Sequence, residues 1–361
     1  DRDAPGPCRQ RTAQPRTQHT GHPRTQHTGH PRTQHTGRPR TRTVVAVTAH
    51  RARYRPGMAN PTGEQFELIR GGARAVITEI GAGLRAFEIN GVPYVETFDA
   101  AAEPPKAAGQ VLLPWPNRTR GARWTHDGQP QELEVTEAER GNAIHGLVRH
   151  REWQLLEHGE SFIRLEVDIT DEPGWPVPLH TGIVYDLAPR GLVVTHEVTN
   201  TGTEAVGFGV GTHPYLRIGD TPTDELTLTV PATRMWPHVD DDWPFGEETD
   251  VDGTPADLRS GRIVGGLDLD TAFGGLVPGA DGRYHHRLSH HDTTVELWAG
   301  PDFGWAQVFT PERLGDRGRA VAVEPMTCPP DALNSGTGLI TLEPGESWRG
   351  SWGIRVDRPL A

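Results

Sequence analysis

The chain has 361 residues, a formal net charge of −12 and only 34% hydrophobic residues. That charge is unevenly divided: residues 1–57 hold twelve arginines against two aspartates, +10, and residues 58–361 hold 24 basic against 46 acidic residues, −22. An acidic body repels phosphate backbones at long range, which argues against nucleic acid as the partner of the folded part.

In chain order, the first feature is a repeat. Arg16–Pro23, Arg24–Pro31 and Arg32–Pro39 read RTQHTGHP, RTQHTGHP and RTQHTGRP. An octad is too short for a solenoid unit, and it has almost nothing apolar to offset the entropy of ordering. Residues 1–57 are therefore expected to form a disordered basic tail, an over-long gene start ahead of a body at 58–361. Metal binding by His19, His27 and His35 is the less favoured reading of that tail.

Beyond Met58, short β-branched runs predict strands at Phe66–Ile69, Ala75–Ile80, Phe162–Ile169, Gly182–Leu187 and Leu192–Val198. Further strands are predicted at Glu225–Val230, Thr293–Trp298, Trp305–Phe309, Ala320–Glu324, Leu339–Leu342 and Ser347–Val356. Asn90-Gly91, Asp127-Gly128, Pro189-Arg190-Gly191 and Asn200-Thr201-Gly202 read as hairpin connections. No stretch of twelve residues has capped helical periodicity. The expected fold is all-β: a large antiparallel β-sandwich in one domain.

Familiar motifs fail. Lys106 is the sole lysine and lies in Pro104-Pro105-Lys106-Ala107-Ala108-Gly109, so the chain contains no G-x-x-x-x-G-K-[ST] phosphate loop. Gly207-Phe208-Gly209-Val210-Gly211 lacks the dinucleotide spacing and reads as a glycine-rich strand. Neither H-E-x-x-H nor G-x-S-x-G occurs. Cys8 and Cys328 offer no disulfide framework, which favours a reducing cytoplasm. No apolar run is long enough for a membrane span, and no secretory core segment is present. His285, His286, His290, His291 and Asp292 form the best metal candidate by composition, but a hairpin turn explains them better, because adjacent strand residues point to opposite faces. No metal and no cofactor is expected.

Four segments concentrate polar groups beside glycine and proline: Gly109–Arg118, containing Pro-Trp-Pro-Asn-Arg; Gly141-Asn-Ala-Ile-His-Gly146; Gly211-Thr-His-Pro-Tyr215; and Ala322–Asp331, containing Val-Glu-Pro. In this order, over Phe66–Val356, the chain resembles the aldose 1-epimerase (galactose mutarotase) family. The resemblance implies a mutarotase-like supersandwich with an open sugar-binding cleft, no cofactor, and interconversion of the α and β anomers of a hexose such as glucose or galactose. The Trp-Pro context before Asn-Arg departs from the best-known galactose mutarotases and leaves the sugar open.

Anomerisation needs a base at the C1 hydroxyl and an acid at the ring oxygen. Apolar neighbours of Glu324 raise its carboxyl toward neutrality and suit it to the first task, and His213 suits the second. The resemblance assigns both these roles. It implies sugar contacts for Asn117, Arg118, His145 and Asp270, with Asp268 as the competing aspartate. Gln307 is a plausible cleft amide, and Trp115, Trp236 and Trp298 are candidate stacking faces. Two alternatives are a hexose-6-phosphate 1-epimerase using Arg118, Arg120 and Arg123, and a non-catalytic sugar sensor.

Overall fold

The computed structural model describes residues 60–239, 243 and 245–358. The tail expected over residues 1–57 and its boundary at Met58 lie outside the described residues.

Two large antiparallel sheets carry the body. The nine-stranded sheet is built around the hairpin of Leu179–Ala188 with Gly191–Asn200, which pair from Leu179 with Asn200 to Ala188 with Gly191. Ser347–Asp357 follows on the outer side of that hairpin, and Thr293–Ala299 and Tyr284–His290 come next. Alternate residues Ile183, Tyr185 and Leu187 on one strand and Leu192, Val194 and Val198 on the next are fully buried, as period-two patterning requires. Each such side chain contributes about 1.5–3 kcal/mol by leaving water.

The eight-stranded sheet runs Thr249–Asp250, Ala232–Trp236, Asp270–Leu276, Trp305–Phe309, Val321–Met326, Gly211–Thr212 and Val111–Leu112, with Tyr215–Leu216 also paired to Val321–Met326. Its registers set the faces. Ala272, Gln307 and Glu324 lie opposite one another, as do Asp270, Phe309 and Ala322. Opposite residues in an antiparallel ladder leave on the same side, so Asp270, Gln307, Phe309 and Glu324 share one face. The intervening Phe273, Val308 and Val323 point the other way, into the core cluster that also contains Leu165, Val194 and Trp352 of the nine-stranded sheet.

Some local expectations change. Asn90-Gly91 and Asp127-Gly128 are two-residue hairpins with positive φ at both positions. Gly191, by contrast, sits within the ladder, leaving Pro189-Arg190 as the turn, and Gly202 closes a side-chain turn on Asn200 Oδ1 rather than a hairpin. Glu225 ends a 3-10 turn, and the strand there is only Thr227–Thr229. The run Gly207–Gly211 divides between Val206–Phe208, which pairs with Ile340–Leu342, and Gly211–Thr212. A Cβ on Gly211 would lie 2.7 Å from Pro116, so this glycine admits the proline-rich loop. The histidine cluster does straddle a hairpin: His290 pairs with Thr293, His285 faces Asp281 and Glu296, and His286 is fully buried.

Candidate active site

The cleft lies on the outer face of the eight-stranded sheet and has a volume of about 210 Å³, below the about 300–1,000 Å³ of pockets for drug-sized ligands. Asn117, Arg118, His145, His213, Asp270, Gln307 and Glu324 all line it.

Glu324 reaches the cleft from Val321–Met326, a strand buried along its whole length. Its Oε1 lies 3.2 Å from His213 Nε2, and its Oε2 has no hydrogen-bond partner among the described residues. Burial holds the carboxyl well above its usual range, Asp270 pushes in the same direction, and Arg118 opposes. His213 stacks on Tyr215 with ring centroids 5.0 Å apart and meets the edge of His145 at 5.5 Å. Burial pushes its imidazole down to about 3, with Arg149 adding to the effect. The two shifts favour a neutral pair, with the carboxyl protonated and the imidazole uncharged, and the 3.2 Å contact is short enough for a proton to pass between them.

His145 is held by a short ladder. Arg118–Thr119 pairs with Ala143–Ile144, which brings the His145 backbone N–H onto the Asn117 carbonyl at 2.8 Å. The Asn117 backbone N–H then donates to His145 Nδ1 at 3.3 Å. Burial, His213, Arg149 and Arg118 all lower the basicity of His145, so its ring is neutral, with the proton on Nε2. Gly146 makes the loop possible: its φ is +69°, and a Cβ there would lie 2.2 Å from the Leu113 carbonyl oxygen.

Arg118 is buried and fixed. Its Nε lies 3.0 Å from both Glu137 oxygens, and a terminal nitrogen lies 3.7 Å from Asp270. Gln307 Nε2 donates to Asp270 Oδ1 at 2.6 Å, which leaves Gln307 Oε1 buried and unpartnered among the described residues. Among the described residues His213 Nδ1, Gln307 Oε1 and Glu324 Oε2 are buried without a hydrogen-bond partner, and all three residues line the cleft.

His145, His213 and Glu324 each present a donor atom, all within 4.8 Å of one another, a set a divalent metal would also accept. Glu324 Oε1 and His213 Nε2 already meet at hydrogen-bonding distance, a separation across which a proton can also pass.

The sequence model of the family described as aldose 1-epimerase matches residues 64–355. The chain belongs to the aldose 1-epimerase family. Among its relatives is the Escherichia coli K12 protein YihR, itself uncharacterized, 32% identical over 289 residues that cover 80% of this chain and 92% of that one. Solved structures of the same fold include a galactose mutarotase-like protein from Clostridium acetobutylicum (TM-score 0.72, 18% identity, covering 81% of this chain and 95% of that one). Galactose 1-epimerase from Lactobacillus acidophilus is another (TM-score 0.67, 18% identity, 81% and 93%). The architecture is thus the nearly all-β, antiparallel one shared by aldose 1-epimerase relatives.

Several sequence-based assignments move. Asp268 is exposed and precedes the strand that begins at Asp270, so it does not share the cleft. Trp115 packs on Trp175 inside the core, and Trp298 lies on the nine-stranded sheet beneath Arg283. Trp236 shares the cleft face but lies over Gly274 beside Trp305, outside the cleft lining. Arg120 stands over Trp243, and Arg123 pairs with Glu132; neither lines the cleft. The aromatic residue that does line it is Phe309, and Lys106, Ala107, Ile144 and Arg149 join it. Phe309 was within reach of sequence reasoning, two residues beyond Gln307 on the same strand. Glu137, the anchor of Arg118, carried no sequence signal.

Proposed function

We propose that this chain is an aldose 1-epimerase that interconverts the α and β anomers of a hexose by acid–base ring opening. The contact between the two buried groups Glu324 and His213, in a cleft with unmet hydrogen bonds, carries this reading. The proton of the pair passes from Glu324 to His213 as the sugar binds, giving a carboxylate and an imidazolium. Glu324 then takes the proton from the C1 hydroxyl, the C1–O1 bond becomes a carbonyl, and the C1–ring-oxygen bond breaks as His213 delivers its proton to that oxygen. Rotation about C1–C2 and reversal of these steps on the other face of the carbonyl give the opposite anomer. No group is oxidised or reduced, and the pair ends with the single proton it began with.

His145, neutral and protonated on Nε2, donates toward the ring oxygen. Asn117, Arg118, Asp270 and Gln307 orient the hydroxyls, and Phe309 offers an apolar face to ring C–H groups. Residues 58–361 are the catalytic unit in this reading. Among the described residues no helix is long and apolar enough to cross a membrane, and the cysteine content fits a cytoplasmic setting. Polarimetry on freshly dissolved α-D-glucose and α-D-galactose tests the proposal. Acceleration beyond the buffer rate is expected, and folded protein that accelerates no free or substituted aldose would refute it.

A further inference from the structure

The cleft contains more positive charge than its own acids neutralise. Arg118 is committed to Glu137 and Asp270, and Asp270 is further engaged by Gln307 and His238. Two other cations line the same cleft, Lys106 and Arg149. Among the described residues the Arg149 side chain has no hydrogen bond and no ion pair, although it is partly buried; burial alone pulls its basicity down, with no acid offsetting it. Lys106 Nζ lies 5.6 Å from the centre of the Phe309 ring and likewise has no carboxylate within ion-pairing distance among the described residues. Glu103 lines an adjoining hollow with both cations but is exposed and bridges neither.

Both cations are mounted on anchored backbone. The buried Tyr215 hydroxyl, beneath His213, donates to the Lys106 carbonyl at 3.3 Å, and Gln110 Nε2 donates to the Arg149 carbonyl at 2.8 Å. Lys106 and Ala107 are consecutive non-glycine residues with φ of +49° and +59°. Such left-handed backbone is costly for side chains with a Cβ, and it persists where the position of the side chain matters. The only lysine of the chain is therefore presented to the cleft by a strained, tethered turn.

We propose that Lys106 and Arg149 bind an anionic substituent of the sugar, so that the preferred substrate is a hexose with a carboxylate, sulfonate or phosphate at C6. This rests on the anomer-interconverting reading above. The position follows from the layout of the site. In that reading His213 faces the ring oxygen, and Arg149 lines the same cleft as His145 and His213. The ring oxygen is bonded to C1 and to C5, and C5 carries C6, so the C6 substituent falls on the Arg149 side of the histidines. A neutral CH₂OH there leaves a partly buried guanidinium without a counter-charge, whereas an oxyanion forms charge-assisted hydrogen bonds with it and with the ammonium.

The test compares glucose, glucose 6-phosphate, glucuronate and a 6-sulfonated glucose by exchange NMR. At least one anionic sugar should exceed glucose in kcat/KM by about tenfold or more, and the arm that does so identifies the anion. The double substitution Lys106→Met with Arg149→Gln should lower the anionic-to-neutral ratio by a similar factor. Glucose turned over faster than all three anionic sugars would overturn the anion site and leave the anomerase reading intact. Binding is read separately, in Glu324→Gln protein, by acylating Lys106 and measuring the product by mass spectrometry. The preferred anionic sugar should protect it where glucose does not. Protection without turnover of any sugar by the unsubstituted enzyme would uphold the anion site and overturn the anomerase reading; equal labelling with and without each anionic sugar would overturn the site itself.

Discussion

Gln307 stands directly opposite Glu324 in the antiparallel ladder, and among the described residues each keeps one buried side-chain oxygen without a partner. The pairing carries both oxygens out of the sheet on the side of Asp270, while Val308 and Val323 beside them enter the core. A buried acceptor without a donor costs about 1–3 kcal/mol, so the fold tolerates two of them side by side where a ligand supplies the donors.

Glu324→Gln and His213→Asn should each lower kcat by about 10²–10⁴-fold while sugar still binds, because each removes one proton-transfer partner. Initial rates of anomer exchange with calorimetric binding of the same sugar provide the check. A variant that keeps more than about a tenth of the rate would shift the assignment to His145.

The pH dependence follows from the directions of the two shifts. Glu324 is raised well above the usual carboxyl value and His213 is lowered to about 3, so from about pH 3 up to the raised carboxyl value the pair holds one proton. That one-proton state is the one that isomerises to carboxylate and imidazolium. The expected profile of kcat is a plateau. It falls on the alkaline side as the shared proton leaves and on the acid side only near pH 3, as a second proton reaches His213. A rate loss centred near an ordinary histidine value, about 6.5, would contradict this.

Full activity is expected after exhaustive chelation, with no stimulation by added zinc or manganese, because Glu324 and His213 spend their facing atoms on each other. Strict recovery by one divalent ion would assign the donor set of His145, His213 and Glu324 to a metal instead.

Arg118 owes its position to Glu137, which also accepts from Asn142 Nδ2 at 3.1 Å. Glu137→Gln weakens that clamp without touching the proton-transfer pair. It should raise KM by about tenfold and lower kcat less, as should Arg118→Ala and Asp270→Ala. Saturation kinetics on one sugar separate the two parameters, and an equal or greater fall in kcat would make Arg118 part of the chemistry.

Much of this site was legible because its residues sit in short motifs whose spacing is local: Asn117-Arg118, His145-Gly146, and His213 between Gly211 and Pro214. Phe309 and the tryptophans show where such reading fails. Whether an aromatic faces sugar or core depends on register, and Trp115 and Phe309 look alike until Gln307 is seen to pair with Glu324. Lys106 and Arg149 were hidden for another reason. A left-handed turn and a clamp from Gln110, features of tertiary structure, bring them to the cleft. The strands were easier, since β-branched alternation directly reflects a half-buried sheet, whereas Gly191 and Gly202 marked chain reversals only loosely.

The buried histidines make acid stability a further test. His196, His213 and His286 are each pushed down to about 3 by burial. In the unfolded chain each returns to about 6.5, so between those values the unfolded state binds more protons and stability must fall as pH drops. Glu324 works the other way: its raised carboxyl gives stability that grows as pH falls through the folded value, and this offsets part of the loss. His286 isolates the effect, because it lies outside the cleft and both ring nitrogens lack partners among the described residues. His286→Leu removes one proton from the uptake on unfolding and a buried polar ring from the core. The slope of unfolding free energy against pH below 6 should become shallower by about 1.4 kcal/mol per pH unit at most, and the melting temperature at pH 7 should hold or rise. Denaturant melts of both proteins from pH 4 to 7 decide it. Parallel slopes would mean that His286 is protonated in the folded protein, with a counter-charge reaching it.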